Sequence, residues 1–147
     1  MYGTFIFAAA VLFGDKPLGD VPDLQAISIC DLANDAAKWD GHRVRIAAMY
    51  TTDLRHGALF LDKRCPLVSI QEGPSMSDPV DRSVVVFNAS LTEPPLSQKP
   101  INYKVDVAGV FRVANDKLIA EHSLMHGVIG EIVVEKVVEF SKVASPK

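Results

Sequence analysis

The chain has 147 residues, with 48% hydrophobic and 22% charged side chains, which fits one globular domain and excludes wholesale disorder. Fifteen Lys and Arg against eighteen Asp and Glu leave a formal charge of −3, the wrong balance for a protein that coats phosphates. Two cysteines are too few for a zinc ribbon or a disulfide scaffold, while nine Gly, nine Pro and many Val and Ile favour strands joined by turns.

The chain starts with an apolar run, Phe5 to Phe13. Nine residues cannot span a bilayer as a helix, which needs roughly 20. The run fits the core of a secretory signal, although no Lys or Arg precedes it and no clear small-x-small cleavage site follows. The other reading is a buried N-terminal strand or helix. Gly14, Pro17, Gly19 and Pro22 make the next stretch a spacer, so residues 1–26 read as a leader and ordered structure begins near Ile27.

Asp31 is placed to cap a short helix over Leu32–Trp39, with Leu32, Ala36 and Trp39 on one face and Asp40-Gly41 ending it. The period then changes to two. Val44, Ile46, Ala48 and Tyr50 point inward from a strand whose other face carries Arg43 and Arg45. Arg55-His56-Gly57 reads as a turn, Ala58–Leu61 as the returning strand, and Leu67–Gln71 as another extended piece. Glu72–Asp81 is a loop. Ser83–Leu91, with Val84-Val85-Val86-Phe87, reads most simply as a buried strand, though periodicity leaves a short helix open. Thr92–Pro100 holds three prolines and excludes a helix beyond a first turn. A long strand spans Ile101–Val113, with Gly109 marking a bend or bulge. After a turn at Asn115-Asp116, the last strand runs from about Ile129 to Phe140. It is expected to send Ile132, Val134, Val138 and Phe140 inward and Glu131, Glu135 and Glu139 outward. Residues 141–147 form a polar tail.

About five strands, two of them long and bent, suggest a small closed barrel, since closure removes exposed edges. A two-sheet sandwich is the alternative.

The segments Cys30-Asp31-Leu32, Trp39-Asp40-Gly41-His42-Arg43-Val44-Arg45-Ile46, Leu59-Phe60-Leu61-Asp62 and Cys65-Pro66 resemble a group of small exported bacterial proteins with an OB-type barrel. His126-Gly127 and the following Glu131–Val138 region resemble their final strand. The resemblance covers residues 27–140 and implies a five-stranded Greek-key barrel preceded by a short helix. It implies no particular reaction. One departure stands out: the usual OB barrel has a helix between its third and fourth strands, and Thr92–Pro100 cannot supply it.

Cys30 and Cys65 sit before the helix and after the second strand, so a disulfide would pin one to the other. The chain-entropy model gives its loop about 3.8 kcal/mol. An exported chain favours that bond, and the alternative is two unrelated buried thiols. His122 and His126 would share one face if residues 121–126 were helical, and Glu121 could add a carboxylate for zinc, but no further ligand can be assigned and a surface role is the plainer reading. Arg43, Arg45, Arg55, His56 and Tyr50 are the candidate ligand-binding residues. Lys63 and Arg64 add to the same local positive excess, yet one basic pair on a strand is usually a solvated face. There is no G-x-S-x-G elbow, phosphate loop or selectable carboxylate pair, so no enzyme is expected. No cofactor or resident metal is expected either. The sequence therefore suggests a non-catalytic, exported (periplasmic or extracellular) barrel that binds a protein partner or small ligand. Its contact surface is expected on the loops at Glu72–Asp81 and Thr92–Pro100. The rival is an oligonucleotide or oligosaccharide binder using the Arg43/Arg45 face, and a metal-dependent enzyme built on His122 and His126 comes third.

Overall fold

The computed structural model describes residues 24–54, 56–75, 79–91 and 100–143. The expected leader therefore lies almost entirely outside the described residues, as do Arg55, most of the Thr92–Pro100 linker and the last four residues. Helix α1 (Ile29–Asn34) starts three residues earlier than expected, because Ser28 and not Asp31 is the cap. The Ser28 hydroxyl accepts the Asp31 N–H at 3.0 Å. Asp35 breaks the helical path, and α2 (Ala36–Trp39) continues it for one turn. Ile29 and Leu32 are fully buried, with Ala36 and Trp39 packed against the same core. Gly41 then turns the chain at φ 79°, where a Cβ would be strained.

Before the helix, a two-residue strand β1 (Ala26–Ile27) pairs in parallel with β2 (Arg43–Thr52). The rest of the sheet closes on itself. Strand β2 pairs with β3 (Ala58–Leu61), β3 with β4 (Ser69–Glu72), and β4 in parallel with β6 (Val128–Lys142). Strand β6 pairs with β5 (Ile101–Val113), and β5 returns to β2 along ten residues, Arg43↔Val110 through Thr52↔Ile101. The result is a closed five-stranded barrel, β2-β3-β4-β6-β5, with a short helix ahead of it. Val44, Ile46, Tyr50, Phe60, Ile70, Val105, Val107 and Phe111 fill its interior.

Residues 82–90 depart from the expected strand. They form helix α3 (Arg82–Ser90), between the third and fourth barrel strands. Three consecutive valines suggest an extended run, but β-propensity is weak against capping and packing. Asp81 caps the helix by accepting the Ser83 N–H at 2.9 Å, and its hydrogen bonds with Ser83 hold its carboxyl below the usual range. Val84, Phe87 and Leu91, spaced three and four apart, face the core, while Val85 and Val86 face out. The helix that Thr92–Pro100 could not supply is thus made by the segment before it. Ser83 also bonds the barrel itself, its hydroxyl accepting the Val137 N–H at 2.9 Å.

Strand β6 keeps its bounds closely and its facing except at Val138, whose inward place Val137 takes, and it continues two residues into the expected tail. Against β5 the register skips Val138 and then Glu135. Each bulge inserts one residue and reverses the alternation beyond it. The inward set is therefore Ile132, Val134, Val137 and Phe140, while Val138 is 38% exposed. Gly109 lies at the second bulge, where a Cβ would collide with the Val133 carbonyl. Between β5 and β6, the expected turn at Asn115-Asp116 instead starts helix α4 (Asp116–His122), with the Asn115 side chain accepting the Leu118 N–H. Leu118 is buried and fixes α4 to the outside of the barrel.

Cys30 and Cys65 are joined by a disulfide, with Cα atoms 5.7 Å apart, in the ordinary range for the bond. It ties α1 to the turn after β3.

Candidate functional site

Register places Thr51, Leu59, Gln71, Glu131 and Arg112 side by side on the outer face of the barrel, one from each of β2, β3, β4, β6 and β5. Their strand neighbours Tyr50, Phe60, Ile70, Ile132 and Phe111 point inward. This row divides into an open half and a covered half.

The open half floors a groove of about 200 Å³. Thr51, Leu59 and Gln71 contribute with Thr52, Asp53, His56, Gly57 and Ala58 from the β2–β3 hairpin, Met125 from the α4–β6 connection, and Pro100. The hairpin is held by its own hydrogen bonds. Thr52 Oγ1 donates to the Gly57 carbonyl at 2.8 Å and accepts the Leu54 N–H at 3.0 Å. Asp53 accepts the His56 N–H and faces its imidazole Nδ1 at 2.6 Å. Leu59 and the half-exposed Met125 give the groove apolar surface, and Thr51 and Gln71 give it neutral polar groups. No Lys or Arg lines it among the described residues.

The covered half lies under α4. Glu131, expected to face solvent, is completely buried, and neither carboxylate oxygen has a hydrogen-bond partner among the described residues. Alternation correctly puts it on the outer face but cannot show that a helix covers that face. Gly73 leaves room for the carboxylate, since a Cβ there would collide with it. His122 Nε2 is 3.4 Å from Glu131 Oε1, and Arg112 Nη1 is 3.9 Å from it. Glu121 Oε1 completes the group, 3.6 Å from His122 Nε2 and 3.7 Å from Arg112 Nη2. Gln71 joins the two halves: it lines the groove, and its amide donates to the His122 carbonyl at 3.4 Å.

The residues singled out in the sequence do not form one site. Arg43 donates to Glu135 from Nε at 2.7 Å and Nη2 at 3.2 Å. Arg45 donates to Asp106 from Nε and Nη2, both at 2.8 Å, which raises its already high pKa. Both guanidinium forks are committed to carboxylates on the barrel wall. Tyr50 is 3% exposed, inside the barrel, so it cannot stack a ligand. Its hydroxyl donates to Glu72 Oε1 at 2.8 Å, and burial, then the neighbouring carboxylate, push its pKa well above the usual value. Of the candidates among the described residues, only His56 lies in the groove. His122, His126 and Glu121 do not converge as three ligand atoms among the described residues. The set that does is Cys30, Asp62 and Cys65, with both sulfurs in the disulfide.

No family model, curated protein or solved structure matches the chain. No helix among the described residues is long and apolar enough to cross a membrane.

Glu72 supplies a pH prediction. Burial raises its pKa, partly opposed by the Tyr50 hydrogen bond. The folded state then holds the proton more tightly than the unfolded chain, so stability is full below the unfolded value of about 4.3 and falls as pH rises through the folded one. Glu72→Gln keeps an acceptor for Tyr50 and removes that loss. Urea midpoints should show it more stable than the parent at neutral pH and indistinguishable from it near pH 4. A parent curve that is flat across this range would contradict the assignment.

Proposed function

We propose that the chain is an exported, non-catalytic OB-type barrel of the bacterial cell envelope that binds a small ligand in the groove between the β2–β3 hairpin and the α4–β6 connection. The strand order, with α3 between the third and fourth barrel strands, supports the OB-type assignment. The Cys30–Cys65 disulfide supports an oxidising compartment. The groove itself carries the functional reading. It is the concave part of the outer row, it combines apolar surface with a few polar groups, and two loops frame it. The barrel interior is filled by aromatic and branched side chains.

The lining favours a neutral ligand of mixed polar and apolar character over a phosphate backbone. Arg43 and Arg45 support the nucleic-acid alternative less than their sequence spacing suggests, because each is already held by a carboxylate. Chemical-shift mapping with chitotriose, trialanine and a short oligothymidylate, each at millimolar concentration, tests this. A neutral probe should perturb Thr51, Leu59, Gln71 and Met125. Perturbation by the oligothymidylate centred on Arg43 and Arg45, or no response to any probe, would overturn the proposal.

A further inference from the structure

We infer that Glu131, His122 and Glu121 form a zinc site on the outside of the barrel, the ion pinning the end of α4 to β6. The site is separate from the binding reading of the groove and goes beyond it.

Glu131 is a carboxylate removed from water, and neither of its oxygens has a hydrogen bond among the described residues. Such a group is costly unless a cation compensates it. The cation at hand, Arg112, does so poorly. Its Nη1 is 3.9 Å from Glu131 Oε1 and its Nη2 is 3.7 Å from Glu121 Oε1, both beyond hydrogen-bond length. Arg43 and Arg45, by contrast, grip their carboxylates at 2.7 to 3.2 Å. His122 Nε2 stands 3.4 Å from Glu131 Oε1 and 3.6 Å from Glu121 Oε1, again without a hydrogen bond to Glu131.

That spacing is what a shared ion requires. Zinc bonds imidazole nitrogen and carboxylate oxygen at about 2.0–2.2 Å in tetrahedral geometry, which sets neighbouring ligand atoms about 3.4 Å apart. An imidazole among carboxylates selects zinc over calcium and magnesium, which favour oxygen ligands. The two charges of the ion offset both carboxylates, where Arg112 alone leaves one unmatched. His126, the partner expected from the sequence, gives way to Glu131, a residue nine positions beyond His122 that the fold of α4 against β6 brings back.

One rotation completes the set. The Glu121 and Glu131 oxygens stand too far apart for a single ion as they are. Glu121 is 43% exposed on the surface of α4, so it turns inward without disturbing the core, and the similarly exposed Arg112 swings outward to make room. Glu131 itself stays in the space that Gly73 leaves for it.

Isothermal titration of the full chain with zinc chloride near pH 7, after stripping with a chelator, tests the site without any groove ligand. One zinc per chain should bind with a Kd below about 100 μM. The Ile119 and Ser123 amides, which close the last turn of α4, should gain protection from hydrogen exchange as the ion binds. His122→Gln and Glu131→Gln should each weaken binding at least about tenfold, while His126→Gln should leave it unchanged. Should the buried substitution prevent folding, the partly exposed His122→Gln decides alone. Weaker uptake by the parent, uptake that survives in His122→Gln, a loss in His126→Gln, or zinc bound with α4 no better protected would each sink the assignment. None of these outcomes bears on whether the groove binds chitotriose or trialanine, which is read separately on the chelator-stripped chain.

Discussion

Phe87→Ala is expected to destabilise the protein by about 3–5 kcal/mol, the range for emptying a buried aromatic site. Phe87 is 3% exposed, and its ring packs edge-on against Tyr50 at 5.0 Å, Tyr103 at 5.5 Å and Phe140 at 5.0 Å. These partners come from β2, β5 and β6, so one side chain of α3 joins three barrel strands. Deleting it leaves a cavity among rings that cannot collapse freely, because the Tyr50 and Tyr103 hydroxyls are bonded to Glu72 and to the Ser90 carbonyl. The edge-to-face attraction that the ring provides disappears as well, beyond the cost of removing apolar surface. Urea unfolding should show the lower midpoint, and near-UV circular dichroism should show loosened packing around the tyrosines. Val85→Ala, on the exposed face of the same helix, should change stability by no more than about 0.5 kcal/mol. Equal effects at the two positions would mean that α3 does not seat as described.

Removing the disulfide has the next largest expected effect. A Cys30→Ser/Cys65→Ser double variant should lose about 2–4 kcal/mol, since the bond closes a 35-residue loop. The loss should be felt first in α1, whose Ile29 and Leu32 are fully buried although the helix has only six residues. A helix that short depends on its attachments. Asp62, beside the bridge, is held below its usual pKa by the Arg64 side chain, so the turn carrying Cys65 keeps its own support. Unfolding of the parent should shift on adding a thiol reductant, while the double variant should not respond. An unchanged parent midpoint under full reduction would show that the bond contributes little.

The barrel is legible in the sequence where the pattern is local. Strands β3 and β5 have the expected bounds, and β2 shows the expected inward set, because alternation and the turns around Gly41 and Gly57 act over a few residues. Helix α3 escapes such a reading because Val84–Val86 dominate the pattern. The signal that finds it is Asp81 as a cap, with Val84, Phe87 and Leu91 spaced three and four apart. The inward face of β6 departs from simple alternation past Val134, since nothing local marks the residues skipped at the two bulges. The groove is hidden for a different reason. Thr51, Leu59 and Gln71 belong to three strands, and only their register unites them. Glu131 likewise needs the placement of α4 before it can be recognised as anything but a surface acid.

The seam between β2 and β5 also governs how the molecule is assembled. Its paired residues run from Thr52 with Ile101 to Arg43 with Val110, so they are distant along the chain. Bringing such separated segments together costs loop-closure entropy before the ladder returns it, which places the protein among slow folders, on the order of milliseconds to seconds. During synthesis the early hairpin must wait for the residues of β5 to emerge, and until then one long edge of β2 stays unsatisfied and open to unwanted pairing.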